Sequence, residues 1–399
     1  MKKIYKLLFL FILVSCFDNI NAQVSGYSFT SSAGTYVPIT GGTNLPSTVT
    51  AFLDDNSSVL SNIGFTFTFN GTPYTQFGFN ANGFITLGAV SVTSNTSLSS
   101  GSSNNVISAL NNDLIGRGSV VINRTSGSPI VTVTGGDINL VSIGDAVTGT
   151  GVVTGSTVIS KTATTLTLSA NASTSGTGSH LRYAGPSFGI RYETIGSMPN
   201  RSLVVQWTGF QRYTTTGGFG ELYNFQIILT ETSNTISNVY NILGPTSTTS
   251  NTYQIGLRGS SSSDFNNRTT TTNWSATTAG GTNAATVTLS NTVFPTSGLT
   301  YLWTPPFCIA PTVLTATNIT GTTATIGWTA SGSASSYDWE LRTTGSCGSG
   351  SPVQSGNTLS NSVNLTSLTA NTTYTYCVRS ACTGPTESGW VSGTFTTSC

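Results

Sequence analysis

Strict alternation between aromatic and hydroxyl side chains is the feature that most restricts the fold of this chain. Residues 65–69 read Phe-Thr-Phe-Thr-Phe, which puts three rings on one face of an extended strand and the hydroxyls on the other. Asn70-Gly71 and Asn82-Gly83 interrupt the apolar runs, and Asn-Gly is the dipeptide that tight hairpin turns favour. Residues 23–399 show no apolar period of about 3.6, as an amphipathic helix would. The chain is therefore predicted to be all-β.

Short apolar runs continue almost to residue 305. Such strands, joined by turns, pack as two antiparallel sheets with one face of each inside, so a β-sandwich is predicted for residues 23–305. The clearest later runs are residues 188–192, 203–207, 223–229, 235–240, 253–257, 286–289 and 299–303.

Residues 119–182 differ from their surroundings because they lose aromatic side chains and become rich in Val, Thr and Gly. Residues 144–151, Gly-Asp-Ala-Val-Thr-Gly-Thr-Gly, resemble a turn found in a small β-module of phage tail fibres and long bacterial adhesins. We interpret the segment as such a module inserted into a loop of the sandwich, since surface loops tolerate insertions. The alternative is a long Ser/Thr-rich loop.

The first 22 residues have the layout of a secretory signal peptide. Lys2, Lys3 and Lys6 precede the apolar residues 7–14, and Ala22 offers a small residue at a cleavage site. An alternative cleavage lies before Cys16, where residues 13–16 read like a lipobox and would provide a lipid anchor. No later segment reaches the roughly 20 apolar residues of a membrane helix. A secreted or cell-surface protein without a transmembrane segment is predicted.

Charge is scarce, with 14 basic and 13 acidic residues that amount to 7% of the chain. Lys2, Lys3, Lys6 and Asp18 lie in the signal, so 11 basic and 12 acidic residues remain after its removal. Such a nearly neutral surface argues against nucleic acid as a partner. A glycan or a protein is the expected partner.

The cysteines crowd into the last quarter of the chain, at positions 308, 347, 377, 382 and 399. This indicates a separate, disulfide-bonded C-terminal domain in an oxidising compartment. The domain, residues 306–398, resembles a fibronectin type III domain. Residues 324–328 match its second strand with a buried Trp, residues 337–341 its third strand, and residues 368–378 the Leu, Tyr and Val spacing of its tyrosine corner.

The fibronectin resemblance also implies a disulfide pattern. It places Cys308 near Cys382 and Cys347 near Cys377, although four cysteines alone allow three connectivities. Cys399 is left over, in the place that Cys308 occupies before this domain. We therefore expect a further repeat to start at Cys399.

The N-terminal sandwich resembles a nidogen-type extracellular domain. The resemblance lies in residues 65–67, 82–87, 204–207 and 224–229. Surface proteins of bacteria that use type IX secretion join such a sandwich to fibronectin-like repeats, so the resemblance implies that export route. The C-terminal sorting domain usual in those proteins is not recognisable here.

No catalytic motif is recognisable, and we expect a protein that is not an enzyme. His180 is the only histidine and is predicted to lie in an exposed loop of the insert, without a nucleophile or acid in any motif around it. A glycosidase needs only two carboxylates, and Glu193, Glu221 and Glu231 lie in the strand-rich part of the sandwich, but their spacing identifies no site.

Two kinds of binding residue stand out. Oxygen-rich loops at Asp54-Asp55-Asn56 and Asn111-Asn112-Asp113 are of the type that Ca²⁺ favours, so Asp54, Asp55 and Asp113 are calcium candidates; the alternative is ordinary turn residues.

An aromatic ligand surface is the second candidate, around Gly217-Gly218. Its rings would stack on sugars or press against a protein, and the alternative is that they form a buried lid of the sandwich. The four rings are Phe210, Tyr213, Phe219 and Tyr223.

These observations predict a non-enzymatic adhesion or binding protein. Two alternatives stay open: the accessory region of a larger secreted polysaccharide-degrading enzyme, and a structural spacer or stalk.

Overall fold

The computed structural model describes residues 24–48, 53–92, 95–213, 221–245, 250–306, 308–331, 334–382 and 387–399. Two compact units divide the chain, one of them Gln23–Pro306 and the other containing Phe307–Cys399. In these described residues, three 3-10 helices interrupt the strands: Val24–Gly26, Ile138–Leu140 and Trp274–Ala276. Within the described ranges, no helix has the length and apolarity needed to cross a bilayer.

The strands of the first unit are short and fall into three runs. The first run is β1 (Ser28–Ser32), β2 (Thr43–Pro46), β3 (Ser61–Phe69), β4 (Thr72–Asn80), β5 (Phe84–Leu87), β6 (Val106–Asn111) and β7 (Leu114–Ile115). The second is β8 (Gly118–Arg124), β9 (Ile130–Gly135), β10 (Ala146–Gly149), β11 (Val158–Lys161), β12 (Thr165–Leu168) and β13 (Gly176–Ala184). The third is β14 (Gly189–Ile195), β15 (Ser202–Arg212), β16 (Leu222–Thr230), β17 (Ile236–Leu243), β18 (Asn251–Arg258), β19 (Phe265–Thr269), β20 (Thr278–Ala279), β21 (Val287–Leu289) and β22 (Thr300–Thr304).

The first and third runs build two eight-stranded antiparallel sheets. One has the order β1-β22-β17-β16-β15-β14-β2, with β7 paired to β15; the other has the order β20-β19-β18-β6-β5-β4-β3, with β21 paired to β18. Hydrogen bonds join the sheets through the core, since Trp207 Nε1 donates to the Asn80 carbonyl at 3.0 Å and Tyr240 Oη donates to the Ala109 carbonyl at 2.8 Å. The prediction of an all-β fold is confirmed.

Alternation along β3 explains its place in the sandwich. Phe67 and Phe69 are fully buried and Phe65 is 6% exposed, while Thr66 lies on the solvent side. Burying each ring stabilises the fold by about 1.5–3 kcal/mol. In the other sheet, the rings of Trp207 on β15 and Phe225 on β16 stack within the core with centroids 5.0 Å apart.

The second run forms a sheet of its own, in the order β10-β13-β8-β9-β12-β11. Its apolar side chains, among them Val120, Leu166 and Leu181, form a separate cluster that also takes in Phe188 and Leu222 of the sandwich. Residues 118–184 are thus a folded six-stranded element, and not the loop that was the alternative interpretation.

The second unit has two antiparallel sheets, β23-β24-β27 and β26-β25-β28-β29. Trp328 and Tyr374 are buried between them, and the Thr369 amide donates to Tyr374 Oη at 3.0 Å, as in a tyrosine corner. The strands are β23 (Thr312–Thr317), β24 (Ala324–Thr329), β25 (Ala334–Arg342), β26 (Gln354–Thr358), β27 (Ser362–Leu365), β28 (Thr373–Cys382) and β29 (Val391–Thr396).

Two disulfides close this second unit, as expected from its cysteines. They join Cys308 to Cys382 and Cys347 to Cys377, with Cα–Cα distances of 5.6 and 5.8 Å. These are the pairs that the fibronectin resemblance implied. Cys399 is exposed and carries a free thiol.

Candidate functional site

An acidic corner forms where the segment around Asp54 meets the segment around Asp113. A carboxylate oxygen from each of Asp54, Asp55 and Asp113 lies within 4.8 Å of the others. Backbone pairing creates this proximity, because Asp54 bridges Ile115 and the Gly116 amide donates to the Leu53 carbonyl at 2.9 Å. The structure therefore brings together the two oxygen-rich loops that the sequence picked out separately.

Asn82 holds the acidic corner in shape from beneath. Its side chain is fully buried; Nδ2 donates to Asp55 Oδ1 at 2.9 Å, and Oδ1 accepts a hydrogen bond from the Leu114 amide at 2.9 Å. The Asn80 carboxamide oxygen in turn accepts from the Asn82 amide. Asn82, the first residue of the Asn82-Gly83 turn, thus connects two segments that are distant in sequence.

Burial dominates the electrostatics of the acidic corner. Burial first, and then the nearby carboxylates of Asp55 and Asp113, together raise the pKa of Asp54 to about 6, against an opposing effect from Arg117. Burial and Asp55 also raise the pKa of Asp113. Carboxylate oxygens grouped in this way are the donors that Ca²⁺ takes, so this is where the described residues could hold a hard cation. The calcium assignment stays a prediction.

The aromatic ligand surface needs correction. Phe210 and Tyr223 are fully buried in the sandwich core, so neither ring can offer a face to a ligand. The Tyr223 hydroxyl donates to Glu221 Oε1 at 2.8 Å and lies 3.0 Å from the Tyr253 hydroxyl. Tyr213 is half-buried, and Phe219 lies outside the described residues.

The reason for the burial of Phe210 is a β-bulge. Alternation from the inward Trp207 would place residue 210 on the outer face, but the pairing of β15 with β16 shifts between Trp207 and Phe210. Gly209 adopts a positive φ of 72° at this bulge. The extra residue turns Phe210 inward.

Glu221 and Glu231, two of the three glutamates considered for glycoside hydrolysis, do not form a pair. Glu221 and Glu231 flank opposite ends of β16, which spans Leu222–Thr230, and are roughly 30 Å apart at about 3.3 Å per residue. Glu231 is ion-paired with Arg201. Glu221 is 2% exposed, and burial raises its pKa.

His180 does not lie in the exposed loop expected from the sequence. It sits in β13 opposite Val121 and is half-buried. Burial, followed by the positive charges of Arg182 and Arg117, lowers its pKa, so the imidazole is neutral at physiological pH.

Sequence reasoning missed a cavity of about 610 Å³ on the outer face of the first sheet. Its floor includes Gln206, Thr208 and Asn224. The signal was present, because Gln206 and Thr208 alternate with apolar residues along residues 203–208, and Asn224 does the same on the next strand.

The two domains define a modular β protein of extracellular type. A family model described as "NIDO related" matches residues 26–133 and 148–305, and the fibronectin type III domain model matches residues 309–394. The chain belongs to the NIDO-related family and carries a fibronectin type III domain at its C-terminal end. None of the curated proteins matches it.

Solved structures also share similarity with parts of the chain. A computationally redesigned β-sandwich protein is 30% identical over 22% of this chain and 89% of its own, with a TM-score of 0.20. The fn3 domain of the human collagen α-1(XX) chain is 22% identical over 23% of this chain and 86% of its own, with a TM-score of 0.20. A two-domain fibronectin type III segment of chicken tenascin is 15% identical over 52% of this chain and 97% of its own, with a TM-score of 0.21.

Proposed function

We propose that this chain is a secreted, non-catalytic binding protein that mediates adhesion at a cell surface. The observation that carries the proposal is the union, in one chain, of a NIDO-related sandwich and a disulfide-bonded fibronectin type III domain. Disulfides persist in oxidising compartments, and loops held by a β-sandwich scaffold often carry binding residues. The expected partner is a glycan or a protein.

The roles of the carboxylates support a non-catalytic protein. Most of them serve the fold, either in ion pairs with arginine or as acceptors for backbone amides. Those paired with arginine are Glu231, Asp338, Glu340 and Glu387, and those that accept from backbone amides are Asp137, Asp145 and Asp264.

The route out of the cell is part of the proposal. Residues 1–22 would direct export, with cleavage after Ala22 or with lipidation of Cys16, and the type IX route would follow from the nidogen-like resemblance. Mass spectrometry of the exported protein separates the first two possibilities, because a diacylated Cys16 adds mass at a new N-terminus and cleavage after Ala22 exposes Gln23.

A binding screen of residues 23–399 tests the function directly. The purified protein is applied to arrays of glycans and extracellular-matrix proteins, in parallel with Ca²⁺ and with a chelator. Reproducible binding supports the proposal, and its loss in chelator would assign a role to a bound cation. A blank array in both conditions would favour the spacer instead.

A hydrolysis assay covers the remaining alternative. The same protein is incubated with plant, fungal and animal polysaccharides, and reducing ends are measured. No release is expected. Release that is abolished by Glu221→Gln would contradict the non-catalytic proposal. The accessory role is tested separately by the gene sequence, since a catalytic domain encoded after Cys399 would favour it.

A further inference from the structure

A row of polar side chains crosses the outer face of the first sheet. Arg191 on β14 lies opposite Gln206 on β15, and Gln206 lies opposite Gln226 on β16. The Gln226 carboxamide donates to Gln206 Oε1 at 2.8 Å. On the other face of the same strands, Trp207 and Phe225 fill the core, so the sheet is apolar inside and amide-rich outside.

This row of polar side chains fixes a strap, residues 36–41, over the sheet. Gln226 Nε2 donates to the Val37 carbonyl at 2.8 Å, and the Ile39 amide donates to Gln206 Oε1 at 2.9 Å. Arg191 Nη1 donates to the Gly41 carbonyl at 3.0 Å. Gln206 and Gln226 are only 4% and 3% exposed, because the strap covers them.

The cavity of about 610 Å³ lies beside the strap, between it and the turn at Pro186-Ser187. Asn224 forms a fixed part of the floor: its Oδ1 accepts from the Gly209 amide at 2.9 Å and its Nδ2 donates to the Asn241 carbonyl at 3.3 Å. The volume falls within the range of about 300–1,000 Å³ typical of small-molecule sites. Hydrogen bonds fix both the strap and Asn224, so the site is pre-formed, and its volume is that of a small-molecule site.

The lining carries polar groups that are ready to bind. Within the part of the chain that the structure describes, the side-chain amide of Asn241 and the hydroxyl of Ser187 form no hydrogen bond with protein, and both residues line the cavity. Thr208 adds a hydroxyl that accepts from Gln206 at 3.0 Å. Pro38 and Pro186 supply apolar walls.

We propose that this cavity, beside the strap of residues 36–41, is a binding site for a saccharide. Amide and hydroxyl side chains match the hydroxyls of a sugar, and the prolines match its apolar C–H faces. The inference rests on the proposed binding function and names its ligand class. A metal ion is a poor fit, because the lining contains no carboxylate.

A peptide strand is also a poor fit for this cavity. Strand addition requires an unpaired sheet edge, whereas the cavity lies over β14, β15, β16 and β17, each of which is paired on both sides. The backbone N–H and C=O groups of these strands are already hydrogen-bonded to the neighbouring strands. Recognition there must come from side chains, and the polar ones are amides, hydroxyls and the guanidinium of Arg191.

Three variants of the residue 23–399 protein test the site on a glycan array and by calorimetric titration of the best glycan. Ser187→Trp fills the cavity from its exposed rim, and Asn241→Ala removes a lining amide while keeping the backbone carbonyl that Asn224 binds. Ser237→Ala is the matched control, on the same face of the same strand but four residues away, roughly 13 Å.

We expect Ser187→Trp to abolish binding, Asn241→Ala to weaken it about fivefold, as for a lost neutral hydrogen bond, and Ser237→Ala to leave it unchanged. Unaltered thermal midpoints show that the variants are folded. Glycan binding that survives both cavity variants overturns the site but leaves the proposed function standing. Binding to matrix proteins alone overturns the saccharide class, and a blank on every array contradicts both proposals.

Discussion

The NIDO-related sandwich and the fibronectin type III unit achieve order by different means. The sandwich has no cysteine between residues 23 and 307 and relies on a core with three fully or almost fully buried tryptophans, Trp207, Trp274 and Trp303. The fibronectin unit is much shorter and carries two disulfides. A small domain buries a smaller fraction of its surface, so cross-links that restrict the unfolded chain contribute more there.

The largest effect expected from this contrast is the loss of both disulfides. Replacing the four bonded cysteines by Ala should lower the free energy of unfolding of the fibronectin unit by roughly 2–4 kcal/mol per bridge. Scanning calorimetry, with mass spectrometry of protease fragments, assigns each transition to its unit. The unfolding temperature of the sandwich should not change. An equal shift in both units would contradict the idea that the disulfides stabilise only the fibronectin unit.

Trp207→Ala should lower the stability of the sandwich and leave that of the fibronectin unit unchanged. It removes the ring stacked on Phe225 and leaves a cavity in the sandwich core, at a cost of about 3–5 kcal/mol. The fibronectin transition should not move. Trp390→Ala, which removes a half-buried tryptophan from the fibronectin unit, is the control and should have a much smaller effect in denaturant titrations.

Asn82→Ala tests whether a polar connection also holds the sandwich together. The change deprives the buried Leu114 amide of its acceptor and Asp55 of a donor, which should cost about 1–3 kcal/mol. Asn62→Ala, on the exposed face of β3, is the matched control. Equal effects of the two changes in urea titrations would mean that the buried amide is dispensable.

Asp54→Asn should have the smallest effect, and a stabilising one. The pKa of Asp54 is raised from its usual value to about 6 in the fold, so ionisation of this carboxyl favours the unfolded chain. Stability should therefore fall as pH rises from about 4 to 6, and the variant should be more stable than the parent above pH 6 and equal to it below pH 4.

Denaturant titrations across this pH range, in chelator, make that comparison. The same gain at every pH would show that charge at Asp54 is not the cause. Loss of stability at pH 7 would show that the carboxylate itself supports the fold.

Local pattern was sufficient for strands, turns and the fibronectin unit. The Phe-Thr alternation of residues 65–69 predicts which face of β3 is buried, and residues 324–328 and 368–378 predict the buried Trp328 and Tyr374. Tyr223 belongs to the same logic, since it shares a period of two with Phe225 and Ile227 and is buried with them.

Alternation was not sufficient for Phe210. A bulge inserts one residue and exchanges the two faces, and a sequence does not mark it beyond a glycine, here Gly209. His180 was misplaced for a related reason. Gly-Ser-His looks like loop sequence, yet pairing with β8 makes it part of a strand.

The sequence by itself determined the all-β class, the face that each regular strand buries and the disulfide-rich end, because these depend on neighbours within a few residues or on cysteine content. Only the tertiary structure decided the acidic corner and the cavity beside the strap. Asp54 and Asp113 meet through pairing between remote segments, and the cavity needs a strap, four strands and a turn at once. Contacts between residues so far apart follow from sheet order and register, which local side-chain patterns do not encode.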